Sequence, residues 1–231
     1  MKYVSTRKGF EATAPETVFQ GLAPDGGLYV PVLGNGEPGT GNGELGTLGG
    51  AERFVLDSLF GDFPRDVREQ AVERLLTRFP AEDPVPLVEK DGLHILELFH
   101  GRTGAFKDVA LSMLPVFLRH SANGRRVLIL TATSGDTGSA AMQGFAGVDG
   151  TEIIVFYPAT GTSKIQRLQM TTPADANVHA VGSHLSCQAD THTGQFRSFP
   201  PVRQLKWPIQ GKNLNILHAE SNMHHLSKYC S

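Results

Sequence analysis

Between Asp108 and Val181 the chain alternates between two kinds of segment, and this alternation restricts its fold more than any other feature. "DVALSMLPVFLRHSA" reads as a helix stopped by Asn123-Gly124, and "RRVLILTAT" is a continuous apolar strand. "SGDTGSAAMQGFAG" opens on capping residues and continues as a helix of small residues, followed by a second apolar strand, "TEIIVFYP". "TSKIQRLQMTT" is a short helix with a Thr or Ser cap, and "NVHAV" is a third strand. Apolar runs of this kind are buried on both faces of a parallel sheet. Strand, helix, strand, helix, strand therefore predicts an α/β domain with parallel strands.

The N-terminal part is organised differently. Residues 3–31 carry short apolar pieces broken by turns, among them Pro24-Asp25-Gly26-Gly27, before a short strand in "GLYVP". "GNGEPGT" and "GNGELGT" then repeat, with almost nothing to bury, so a flexible surface loop is expected over 34–50. No Gly-Lys-Ser/Thr follows, so it is not a phosphate loop. Two helices come next, the second over Pro64–Phe79 with Val67, Ala71, Leu75 and Phe79 on one stripe. "PVPLVEK" and "LHILELF" read as strands around an Asp91-Gly92 turn.

A formal net charge of −2 gives no reason to expect nucleic acid or an acidic membrane as partner. The two cysteines, Cys187 and Cys230, imply no disulfide framework. With no signal-peptide core in "MKYVSTRKGF" and no bilayer-length apolar run, a cytoplasmic protein is expected. Residues 182–231 differ in texture. They hold His184, His192, His218, His224 and His225, but no paired short spacing of the zinc-site kind, so no metal is expected.

Parallel α/β sheets bind ligands at the carboxyl ends of their strands, where helix N-termini face a crevice. "TATSGDTGSAA" has that form, so Ser134, Gly135, Asp136, Thr137 and Gly138 are candidates to present backbone N–H groups to an anion. The plainer reading is an N-cap and a tight turn. Lys107 stands in "HGRTGAFKDVAL" among mostly apolar neighbours. A desolvated lysine becomes a nucleophile able to form a Schiff base. The alternative is a lysine that snorkels from a first helical turn beside Asp108. The residues alone leave both open.

"YVSTR", "GLAPDGGLYVP", "ELFHGRTGAFKD", "ATSGDTGSAA" and "VFYPATGTSKIQRLQMTT" together resemble the signature stretches of threonine synthases, in that family's order, from residue 1 to about 181. The resemblance implies a pyridoxal-5'-phosphate enzyme with the three-layer parallel sheet of the tryptophan-synthase-β-like (fold type II) enzymes, incomplete here at the C-terminus. It implies a carbon-oxygen lyase that converts O-phospho-L-homoserine and water to L-threonine and phosphate. Lys107 matches the cofactor-binding lysine, and Ser134–Gly138 match the segment facing cofactor and substrate. Ser134 and Thr137 are expected to hold the substrate carboxylate, Asp136 to approach the cofactor ring hydroxyl. Ser163, Lys164 and Arg167 are candidates for the leaving phosphate, their plain reading being a capped, solvated helix face.

The expected organisation is an N-terminal segment over 1–95, a cofactor-binding core over 96–181 and an atypical tail over 182–231, from a truncated or frame-shifted end or a private extension. The chain departs from the family at Arg102 and Gly104, where relatives carry proline and leucine, and lacks a match to the cofactor-phosphate loop. Two other readings remain: a serine/threonine dehydratase-like lyase, and a non-catalytic remnant that binds a small phosphorylated ligand. A monomer or homodimer is expected.

Overall fold

The computed structural model describes residues 1–33, 46–79, 83–133, 135–158, 160, 162–183 and 214–220. A small antiparallel sheet comes first, from β1 (Tyr3–Ser5), β2 (Glu11–Ala12) and, after helix α1 (Ala14–Gln20), β3 (Tyr29–Pro31). Helix α1 was not anticipated, although "TAPE" carries a capping signal: the Glu16 carboxylate accepts hydrogen bonds from Thr13 N and Oγ1, both at 2.8 Å. The Pro24–Gly27 turn forms as expected, with Gly26 at φ +73° and Asp25 accepting from Ser5 Oγ, Lys8 N and Gly27 N.

Helices α2 (Leu48–Leu59) and α3 (Arg65–Arg78) follow. The glycine-rich stretch is shorter than the expected 34–50, because Thr47 Oγ1 accepts from Gly50 N and starts α2 at Leu48. Residues 34–45 lie outside the described residues. Strands β4 (Leu87–Lys90) and β5 (Leu93–Leu96) form the expected hairpin, with Asp91 and Gly92 at φ 53° and 75°.

Helix α4 (Lys107–Ser121) ends at Asn123 and Gly124, both at positive φ. The chain then builds one parallel sheet from β6 (Arg126–Ala132), β7 (Thr151–Pro158), β8 (Val178–Ser183) and β9 (Leu214–Glu220). Its order is β8-β7-β6-β9, with α5 (Asp136–Phe145) and α6 (Lys164–Thr171) as the crossovers between β6, β7 and β8. This is the expected α/β architecture. Strand β9 was not foreseen: a segment of the tail pairs along the open edge of β6, whose backbone groups need a partner.

Alternation along the strands puts apolar residues on both faces. Val127, Ile129, Ile153, Val155 and Val178 pack with Met142 and Phe145 of α5 and Leu118 of α4, whereas Leu128, Leu130 and Ile154 form a cluster on the other face. A further cluster joins Phe63, Val72 and Leu75 to Met113 and Phe117 of α4, with the Phe63 and Phe117 rings 4.8 Å apart. Helix α4 thus belongs to two cores, which holds its N-terminus in place.

The N-terminal sheet is anchored through Asp62, which accepts from the Met1 ammonium at 2.7 Å and from Ala14 N at 3.1 Å. The ammonium contact holds its carboxyl below the ordinary value of 3.8. A depressed carboxyl contributes stability above its unfolded value, and that contribution is lost as pH falls through the folded value. Asp62→Asn is therefore expected to lower stability near neutrality by about 1 kcal/mol, allowing for partial exposure. The loss shrinks as pH falls below 3.8 and through the folded value, which thermal melts at neutral and acid pH check.

Candidate active site

Lys107 is the first residue of α4, and the loop before it is built around Asp108. That carboxylate is 3% exposed and accepts from Thr103 N and Thr103 Oγ1, both at 2.7 Å. A Cβ on Gly101 would lie 2.6 Å from Asp108 Oδ2 and 2.9 Å from Phe79 Cζ, so the loop closes only with glycine there. Gly104 stands at φ +72°, a conformation glycine adopts without cost and leucine does not. The departure from the family at 104 thus fits the backbone found here.

Because Asp108 is committed to Thr103, it does not pair with Lys107. The lysine is half-buried, with Nζ 4.3 Å from the centroid of the Phe106 ring, itself 61% exposed. This is a more open setting than the apolar flanks suggested. Among the described residues no carboxylate forms an ion pair with the amine, which leaves it available to an external electrophile.

The second piece is the start of α5, at the carboxyl end of β6. Ser134 lies outside the described residues. Gly135 N donates to Thr133 Oγ1 at 3.2 Å and Gly138 N to Gly135 O at 3.2 Å, and among the described residues no side chain caps the helix, so the Asp136 and Thr137 N–H groups are left for another acceptor. Thr137 is half-buried beside them. Gly138 is a close-approach position, since a Cβ there would sit 2.3 Å from Thr133 Cγ2 and 2.8 Å from Val155 Cγ1. Asp136 is exposed and accepts from Gln166 Nε2 at 2.7 Å.

Helix α6 starts at the carboxyl end of β7. Ser163 Oγ accepts from Gln166 N at 3.2 Å and donates to Gln166 Oε1 at 3.0 Å, so its hydroxyl serves as the cap. Lys164 and Arg167 are exposed and form no ion pair among the described residues.

Two glutamines of α6, missed in the sequence, connect the pieces. Gln166 holds Asp136 of α5, and Gln169 Nε2 donates to Thr103 O at 2.9 Å in the lysine loop. Their i, i+3 spacing in "KIQRLQM" was visible, but glutamine at helical spacing is common on solvated faces. The lysine loop, the α5 start and α6 therefore share one hydrogen-bonded edge of the sheet. A shallow concavity lined by Arg126, Asp149, Glu152 and Asn177 lies at the opposite edge and touches none of them.

The residues fit a small molecule with an electrophilic carbonyl and an anionic end. Among the described residues the Lys107 amine has no carboxylate partner and the α5 start no side-chain cap, and these are the donors such a molecule needs. Among the described residues no group of His, Cys, Asp and Glu is arranged to hold a metal, and no helix is long and apolar enough to cross a membrane.

Comparison with known proteins extends this picture. Residues 2–33 match the family described as the threonine synthase N terminus. The chain is 40% identical over 192 residues to a threonine synthase-like 2 of Xenopus laevis, covering 78% of this chain and 40% of that protein. It is 36% identical over 211 residues to the threonine synthase of Saccharomyces cerevisiae, covering 80% and 41%. The fold matches the crystal structure of a PLP-bound threonine synthase from Brucella melitensis with a TM-score of 0.69 and 35% identity, over 79% of this chain and 41% of that one. The chain thus spans about two fifths of the length of the relatives it matches.

Proposed function

We propose that this chain, a member of the threonine synthase family that matches its N-terminal model over residues 2–33 and a relative over 78% of its own length, takes part in converting O-phospho-L-homoserine and water to L-threonine and phosphate. The observation that carries the reading is Lys107: an amine with no carboxylate partner among the described residues, at the start of α4, whose loop is tied through Thr103 and Gln169 to α6, which in turn holds the start of α5 through Gln166. Pyridoxal phosphate, when bound, supplies the electron sink that makes the substrate carbons acidic.

The chain's own residues bind, orient and move protons. Lys107 Nζ would hold the cofactor through its aldehyde carbon and, when freed by the substrate, would take up the proton from the substrate α-carbon. The α5 start, with the Asp136 and Thr137 N–H groups and the Thr137 hydroxyl, receives the substrate carboxylate. Ser134 would share that role, and Asp136, held by Gln166 Nε2, would serve the cofactor's ring hydroxyl. Lys164 and Arg167 meet the leaving phosphate with their exposed charges, beside the Ser163 cap.

The test is an absorbance spectrum of purified protein with pyridoxal phosphate, followed by borohydride reduction and peptide mapping. A visible band with label confined to Lys107, and phosphate release from O-phospho-L-homoserine, are expected. Label scattered over surface lysines, or turnover of serine or threonine in place of the phosphorylated substrate, would overturn the reading.

A further inference from the structure

The last turn of α3 buries more positive charge than the described residues neutralise. Arg78 is 8% exposed, and its buried Nη1 has no hydrogen-bond partner. Arg74 lies one helical turn earlier; it donates from Nη2 to Gly144 O at 2.6 Å, but its buried Nε is also unpartnered. Arg102, on the loop that leads to Lys107, is exposed and close enough for its charge to act on both.

Burial pushes the Arg78 guanidinium down to about 10, and the charges of Arg74 and Arg102 push in the same direction, opposed by Asp175 and Asp108. At that value Arg78 is still a cation near neutral pH. Asp108 offers it little, because both carboxylate oxygens are already taken by Thr103. A buried cation without a partner is strongly unfavourable, and the partial negative charge at a helix C-terminus offsets only a small part of that.

We propose that Arg74, Arg78 and Arg102 form a binding site for a phosphate-class oxyanion, either inorganic phosphate or a phosphate monoester. Guanidinium groups present planar forks of N–H donors that match phosphate oxygens, and three neighbouring ones, two with unpartnered buried N–H groups, favour a dianion over chloride. Arg74 and Arg78 form its buried wall, and Arg102, on the exposed loop, forms its mouth. The site is distinct from the uncapped α5 start and from Lys164 and Arg167, and it does not depend on the cofactor reading. Occupancy would brace the segment Gly101–Thr103, which holds Asp108 and so the start of α4.

The test measures the thermal unfolding midpoint of the full chain, without cofactor, against inorganic phosphate and separately against O-phospho-L-serine, with chloride at matched ionic strength. A ligand that binds only the folded state raises the midpoint with its concentration. Phosphate or the monoester is expected to raise it beyond chloride, and the larger response identifies which of the two the site takes. Arg102→Ala, on an exposed side chain, is expected to weaken the apparent affinity by about tenfold or more, as loss of a charge-assisted pair would. Arg78→Met is expected to abolish the response. Equal midpoints in phosphate, monoester and chloride would overturn the proposal, as would a wild-type response in Arg102→Ala together with any folded Arg78→Met protein.

Discussion

Lys107→Ala is expected to reduce phosphate release from O-phospho-L-homoserine by on the order of a thousandfold, the scale on which a group that both attaches a cofactor and moves a proton contributes. The fold should be indifferent. The amine's one described contact is with the half-open face of Phe106, and Asp108 organises the loop through Thr103 without it. Stability is therefore expected to stay within about 0.5 kcal/mol of wild type, as for surface substitutions. Turnover that survives the change, in a folded protein, would remove Lys107 from the chemistry. A variant that loses turnover by unfolding is recognised by its melt and says nothing about the amine.

The largest stability effect is expected at Gly144. Helix α5 crosses α4 there so closely that a Cβ would lie 2.1 Å from the Leu111 carbonyl oxygen and 3.0 Å from its carbon. The obstacle is helix backbone, which no rotamer change can clear, so one methyl group must push α4 and α5 apart. Gly144→Ala is expected to cost about 3 kcal/mol, the upper end for overpacking. Part of the loss comes through the Gly144 carbonyl, which Arg74 Nη2 reaches only at the present helix spacing. Gly46→Ala, where an added Cβ meets nothing within 4 Å, serves as the control and is expected to be near neutral. Urea unfolding of both variants checks the comparison, and equal midpoints would mean that the α4–α5 contact is looser than described.

The two substitutions act at different levels. Lys107 is a chemical group on the end of a rigid element, whereas Gly144 fixes where that element lies. Helix α4 is held by Phe117 and Met113 in one apolar cluster and by Leu118 in another. A shift forced at Gly144 therefore reaches the lysine through packed helix, and Gly144→Ala is expected to lower turnover as well as stability.

The sequence by itself determined the alternation of elements from α4 to β8, the turns at Asp91-Gly92 and Asn123-Gly124, and the candidacy of Lys107. These are local properties: apolar runs, capping residues and positive-φ turns act within a few neighbours, and a motif such as "HGRTGAFKD" is read residue by residue. Helix α1 is equally local, signalled by the Thr13–Glu16 capping pair. The tertiary structure alone decided that Asp108 turns to Thr103 and away from Lys107, and that Gln166 and Gln169 join α5 and the lysine loop through α6. It also decided that 214–220 closes on the edge of β6 and that Arg74, Arg78 and Arg102 come together. The reason is distance along the chain: Gln169 and Thr103 are 66 residues apart and Arg74 and Gly144 are 70 apart. Such partners are chosen by which helix faces the packed core leaves side by side, and no local pattern encodes that choice.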